Sequence, residues 1–184
     1  MLGSKAPLSL KNIGTNSGIQ MEWSIASIDE ESVYNLGGIL ADYVRPGVVF
    51  CLSGDLGSGK TTLARAIIRN ACNNVGEIPS PTFNLVQSYE VGADFEIWHL
   101  DLYRLNNIEE AIMLGLEDAL IEHCCIIEWP GLIEPIMPAH CIYIQLDFQD
   151  RNSSSLSYQR MITIKTSNPI MAFFADCTNN LIGR

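Results

Sequence analysis

The run Gly54-Asp55-Leu56-Gly57-Ser58-Gly59-Lys60-Thr61 fits the spacing G-x-x-x-x-G-K-[ST] at every position. Glycines at this density let the backbone aim successive N–H groups at phosphate oxygens. In that setting Lys60 would neutralise β- and γ-phosphate charge, and the Thr61 hydroxyl would be an oxygen ligand for Mg²⁺. Thr62 falls at the start of the helix expected after the loop, where the positive dipole end adds to the cradle. The bland alternative is a glycine-rich turn joining a strand to a helix. Both flanks argue against it, because the apolar VVFCL precedes the loop and a helix-like stretch follows. The chemistry indicated is nucleoside triphosphate binding, with the reaction still open.

A reaction on the bound phosphates further needs an acid near the metal and a group that positions the nucleophile. Two acids end apolar, strand-like runs: Glu128 directly follows Cys-Cys-Ile-Ile, and Asp101 sits in WHLDLYR. Placement gives Glu128 to the magnesium, beside Thr61, and leaves Asp101 to orient water; either could instead be a surface acid capping a strand. Thr82, in SPTF, could belong to a switch-like loop that meets the γ-phosphate, or to a simple strand-entry turn. Trp129 is amphipathic and could stack near the nucleotide or pack in the core. His99 lies two residues before Asp101 on the same strand face, and the 3 histidines lack a zinc-ligand spacing. No N-K-x-D guanine-reading segment is present, which favours ATP over GTP.

These groups must be positioned by α/β elements. Ser27 to Glu30 reads SIDE, a capping box, ahead of apolar residues at Val33, Leu36 and Leu40 on one helical face. Pro46-Gly47 stops that helix. The continuous apolar run from Val48 to Leu52 reads as a strand buried on both faces, the kind found in parallel sheets. A second helix starts after the glycine loop. FNLVQSYE and FEIWHLDLYRL, separated by a glycine-containing break, predict an antiparallel hairpin. Helical spacing over Asn106–Leu120 is interrupted by Gly115, and Cys124 to Ile127 forms a second buried run. CIYIQLDF and YQRMITIKT are strand-like, with serine-rich DRNSSSLS between them.

A chain of 184 residues with 47% hydrophobic and 17% charged residues suits one globular domain, taken as residues 21–184. Residues 1–20 read as a disordered extension without a secretory signal, and no apolar run approaches the ~18 residues of a membrane span. The net charge of −10 disfavours autonomous nucleic-acid binding. The 6 cysteines form no C-x-x-C pair, and reduced thiols in a cytoplasmic protein are expected.

GDLGSGKTTL, SPTF, HLDLYRL and IIEWP, in this order, resemble the TsaE family (formerly YjeE) of tRNA threonylcarbamoyladenosine synthesis, over roughly Glu22 to Phe148. The resemblance implies a three-layer P-loop NTPase fold, α/β with a mixed, partly parallel sheet and an antiparallel hairpin. It also implies weak ATPase activity that supports turnover of a complex, made by a TsaD-like threonylcarbamoyl transferase and its TsaB-like dimerisation partner. Transfer RNA would be contacted only through that complex. Carried over, Lys60 binds phosphates, Thr61 and Glu128 hold magnesium, Asp101 acts in hydrolysis, Thr82 lies in a mobile segment and Trp129 adjoins the nucleotide. One departure is that Glu128-Trp129 is followed by Pro130, Gly131 and Leu132 rather than by an early charged residue. A small-molecule P-loop kinase and a nucleotide-dependent binding module are the alternative readings.

Overall fold

The computed structural model describes residues 9–15, 18–25, 30–148 and 160–174. Eight strands form one sheet: β1 (Ser9–Thr15), β2 (Gly18–Ile25), β3 (Val49–Ser53), β4 (Val86–Val91), β5 (Phe95–Asp101), β6 (Cys124–Glu128), β7 (Ile142–Phe148) and β8 (Arg160–Thr166). Their order across the sheet is β1-β2-β8-β7-β3-β6-β5-β4. Strand β3 runs parallel to both β6 and β7, and β5 runs parallel to β6. The outer pairs are antiparallel, including the expected β4–β5 hairpin and the β7–β8 pair.

Strand β3 shows why the centre of the sheet is parallel and doubly covered. Its residues alternate between two cores. Phe50 and Leu52 pack with Leu36 and Leu40 of helix α1 (Glu30–Ala41) and with Leu63 and Ile67 of helix α2 (Lys60–Ala71). Val49 and Cys51 face the other way, toward Ala111 of α3 (Ile108–Met113), Leu116 and Ala119 of α4 (Leu116–Glu122), and Ile133 of a 3-10 turn over Pro130–Ile136. Three layers result. The Asn107 side chain accepts from the Glu110 backbone N–H at 2.9 Å and starts α3, and the α3–α4 break falls at Gly115.

Within the stretch expected to be a disordered extension, residues 1–20, the described residues 9–15 and 18–20 are strand. Ser9–Thr15 and the segment from Gly18 form an antiparallel hairpin, and β2 pairs in turn with β8 from Met21 to Ile25. The signals were local: Ser17-Gly18 is a turn dipeptide, and Ile19, Met21, Trp23 and Ile25 alternate with Gln20, Glu22 and Ser24 along β2. The capping serine expected at Ser27 and the serine-rich loop before β8 lie outside the described residues.

Candidate functional site

In open α/β sheets, ligands bind beyond the carboxyl ends of the parallel strands. Strand β3 ends at Ser53, the glycine loop crosses over, and α2 begins at Lys60. Gly54 has φ +136°, and a Cβ there would collide with the Leu146 carbonyl oxygen, so the loop hugs β7 only because this residue is glycine. The first backbone bond of α2 runs from Leu63 N–H to Gly59 O. The N–H groups of Lys60, Thr61 and Thr62 therefore have no intrahelical acceptor and are available to an anion.

Asp101 and Glu128 sit side by side in register at the ends of β5 and β6, next to that loop. Both are almost fully buried. Glu128 Oε2 accepts from Thr61 Oγ1 at 2.9 Å, and its Oε1 lies 2.9 Å from His99 Nε2. Asp101 Oδ2 accepts from Thr82 Oγ1 at 2.7 Å, and its Oδ1 accepts from the Tyr103 backbone N–H at 3.1 Å. Thr82 in turn touches Ser80 Oγ at 2.8 Å, so the SPT segment is tied to β5. The backbone of the 128–129 corner is fixed as well, by Leu102 N–H to Glu128 O and Trp129 N–H to Leu52 O.

Lys60 folds back over its own loop and donates to the Gly54 and Asp55 carbonyls, each at 2.8 Å. Its ammonium also stands 4.0 Å above the Trp129 ring centroid. Burial pulls its pKa below the ordinary lysine value, against the opposing pull of Glu128, Asp101 and Asp55. Trp129 has φ +59° and tilts against Tyr103, with ring centroids 4.9 Å apart.

A cleft of about 300 Å³ opens between these groups. It gathers Leu56, Gly57, Gly59, Lys60, Thr61, Thr62, Thr82, Asp101, Glu128 and Trp129 from the residues singled out in sequence, and adds Tyr103 and Arg104. Gly54 and Asp55 lie outside it, in the neighbouring groove, where their carbonyls hold Lys60. Ser58 is fully buried beneath the loop, its hydroxyl without a partner.

His99 has a place that the sequence did not disclose. It is fully buried, Nε2 meets Glu128, and Nδ1 has no partner. With Glu128 ionised, Nε2 is the donor in this contact. Strand alternation put His99 on the face of Asp101, but the contact that matters crosses to β6. Among the described residues, no cluster of three His, Cys, Asp or Glu side chains could hold a metal on its own. No helix among them is long and apolar enough to cross a membrane.

Comparison with known proteins agrees with this geometry. The family described as "Threonylcarbamoyl adenosine biosynthesis protein TsaE" matches residues 27–160. The tRNA threonylcarbamoyladenosine biosynthesis protein TsaE of Rickettsia felis is 37% identical over 145 residues, covering 79% of this chain and 82% of the relative. The TsaE protein of Haemophilus influenzae is 34% identical over 128 residues, 66% of this chain and 80% of its own length. The fold is shared with Bacillus subtilis YdiB, at a TM-score of 0.63 and 21% identity, covering 94% of this chain and 97% of that one. With the phosphate-loop geometry, the paired acids and a family match over most of its length, this chain belongs to the TsaE family of threonylcarbamoyladenosine biosynthesis.

Proposed function

We propose that this chain is a magnesium-dependent ATPase, slow alone, whose turnover serves the complex that places N6-threonylcarbamoyladenosine in tRNA. The observation that carries the reading is the pair of buried acids beside the loop, with Glu128 already hydrogen-bonded to the loop's own Thr61. A hydroxyl and a carboxylate are oxygen donors of the type Mg²⁺ takes, with nucleotide phosphates and waters completing its shell. Bound Mg²⁺ would supply charge neutralisation at the β- and γ-phosphate oxygens.

The chain's own groups do the rest. The free N–H groups at the start of α2 bind phosphate oxygens, and Lys60 exchanges two neutral carbonyls for charged ones. Thr61 and Glu128 would hold the metal. Asp101 orients the attacking water and accepts its hydrogen bond, which it can do once Thr82 releases Oδ2. The Thr82–Asp101 bond favours low turnover in the isolated protein. A partner that draws the SPTF segment away would free Asp101, and Leu56 and Phe83 stand exposed near the cleft for such a partner to touch. The TsaD-like transferase and its TsaB-like companion are the partners this reading requires.

Phosphate release measured with and without those two proteins tests it. Stimulation is expected, and its absence removes the coupled role. Glu128→Gln should lower turnover about a hundredfold or more, the scale of losing one preorganised charge-stabilising group. The same Thr82–Asp101 bond also supports a second reading, in which ATP merely reorders SPTF for binding. Partner affinity equal in ATP and ADP would exclude that one.

A further inference from the structure

Arg160 opens β8 and pairs with Phe148 at the end of β7, the strand that flanks β3 on the side away from the acids. Its Nε lies against the glycine loop at Gly59. A Cβ built on Gly59 would sit 3.8 Å from Arg160 Nε and 3.8 Å from Leu146 Cδ2. The Nε–H is buried and has no hydrogen-bond partner, and no carboxylate among the described residues forms an ion pair with this arginine. A guanidinium is always charged and carries five donors, and a buried donor without an acceptor is costly. An orphaned charged donor beside an anion cradle therefore marks an acceptor that arrives with the ligand.

The sheet order says which part of the ligand that is. Glu128 and Asp101 are on β6 and β5, on one side of β3; Arg160 reaches the loop from β8, on the other. The nucleotide's γ-phosphate belongs to the side with the acids, so its nucleoside end lies toward Arg160. Arg104, the cation on the acidic side, is already placed over the Phe83 ring, 4.8 Å from its centroid. We infer that Arg160 is a nucleotide-binding residue whose guanidinium takes the α-phosphate, a contact shared by the tri- and diphosphate. This inference rests on the ATP reading above. It assigns a ligand to a residue that no loop or acid motif in the sequence contains.

Calorimetric titration with ATP and with ADP, each with Mg²⁺, tests it on the full chain. Arg160→Ala should weaken both nucleotides by a similar factor, about ten- to a hundredfold, the scale of one charge-assisted hydrogen bond. Arg160→Lys should keep part of the affinity. Should Arg160→Ala fold poorly, Arg160→Met keeps the stem and carries the same expectation. Wild-type affinity in the folded variant overturns the inference, and a loss confined to ATP overturns the α-phosphate assignment. A wild-type chain that binds neither nucleotide overturns the ATP reading itself, and this inference with it.

Discussion

Glu128 divides its two oxygens between Thr61 of the glycine loop and a buried histidine, so its carboxylate is already aimed for the metal proposed above. Partners of this kind orient metal ligands and typically shift metal affinity about 10–100-fold when removed. His99→Ala should raise the Mg²⁺ concentration for half-maximal turnover by that factor, with excess Mg²⁺ restoring most of the rate. It should also cost about 1–3 kcal/mol of stability, because a carboxylate oxygen is left buried and unpaired. A purely structural histidine would show the stability loss without the Mg²⁺ shift, so a magnesium titration checks the role. That Asp101, Glu128, Lys60 and Thr61 would meet in one cleft was legible from the glycine-loop spacing and from two acids that end apolar runs. His99 was not, because its partner lies on another strand 29 residues away, and only the parallel register of β5 with β6 brings them together.

At the level of elements, the crossing of α1 and α2 holds the loop's helix in place, and it depends on Gly37. A Cβ there would run into the Ala66 Cβ and press on the Ala66 backbone, so the helices approach at backbone distance. Gly37→Val should destabilise the fold by about 1–3 kcal/mol, as overpacking does, measured as a lower denaturant midpoint in urea. Helix α1 itself was readable from Val33, Leu36 and Leu40, and β3 from its unbroken apolar run, found one residue further along at Val49–Ser53. The hairpin of β4 and β5 followed from two extended runs around a glycine break. The insertion of β8 between β2 and β7 was not readable, since strand order depends on which edges remain open after the parallel centre forms. For the same reason the reach of Arg160 to Gly59 lay beyond any local pattern, whereas β2 was marked by its alternation from Ile19 to Ile25 and was passed over.

For the molecule as a whole, a net charge of −10 means that the phosphates of the proposed nucleotide would be attracted by the site and not by the general surface. Lys60, the α2 terminus and Arg160 converge on one corner of an otherwise acidic protein. The two cores that sandwich β3 also share an unusual content: the described cysteines, Cys51, Cys72, Cys124, Cys125 and Cys141, are all free and buried in them. Burial pushes the Cys72 and Cys124 thiols up, and carries Cys125 to about 12. Cys51 is raised chiefly by the hydrogen bond it shares with Cys141, which is itself lowered by that contact yet only 1% exposed. Thiolate is thus scarce at neutral pH for Cys51, Cys72, Cys124 and Cys125, all five sulfurs are shielded by burial, and an alkylating reagent reaches them only when the structure opens. The five sulfurs are a ready-made clock for that opening, spread over both faces of the sheet. Their modification at pH 8, followed by mass spectrometry, should be slow and should proceed as one cooperative event. Saturating Mg²⁺ and ATP should slow it by about the ratio of ligand concentration to Kd, so the interior of the protein reports on its surface cleft.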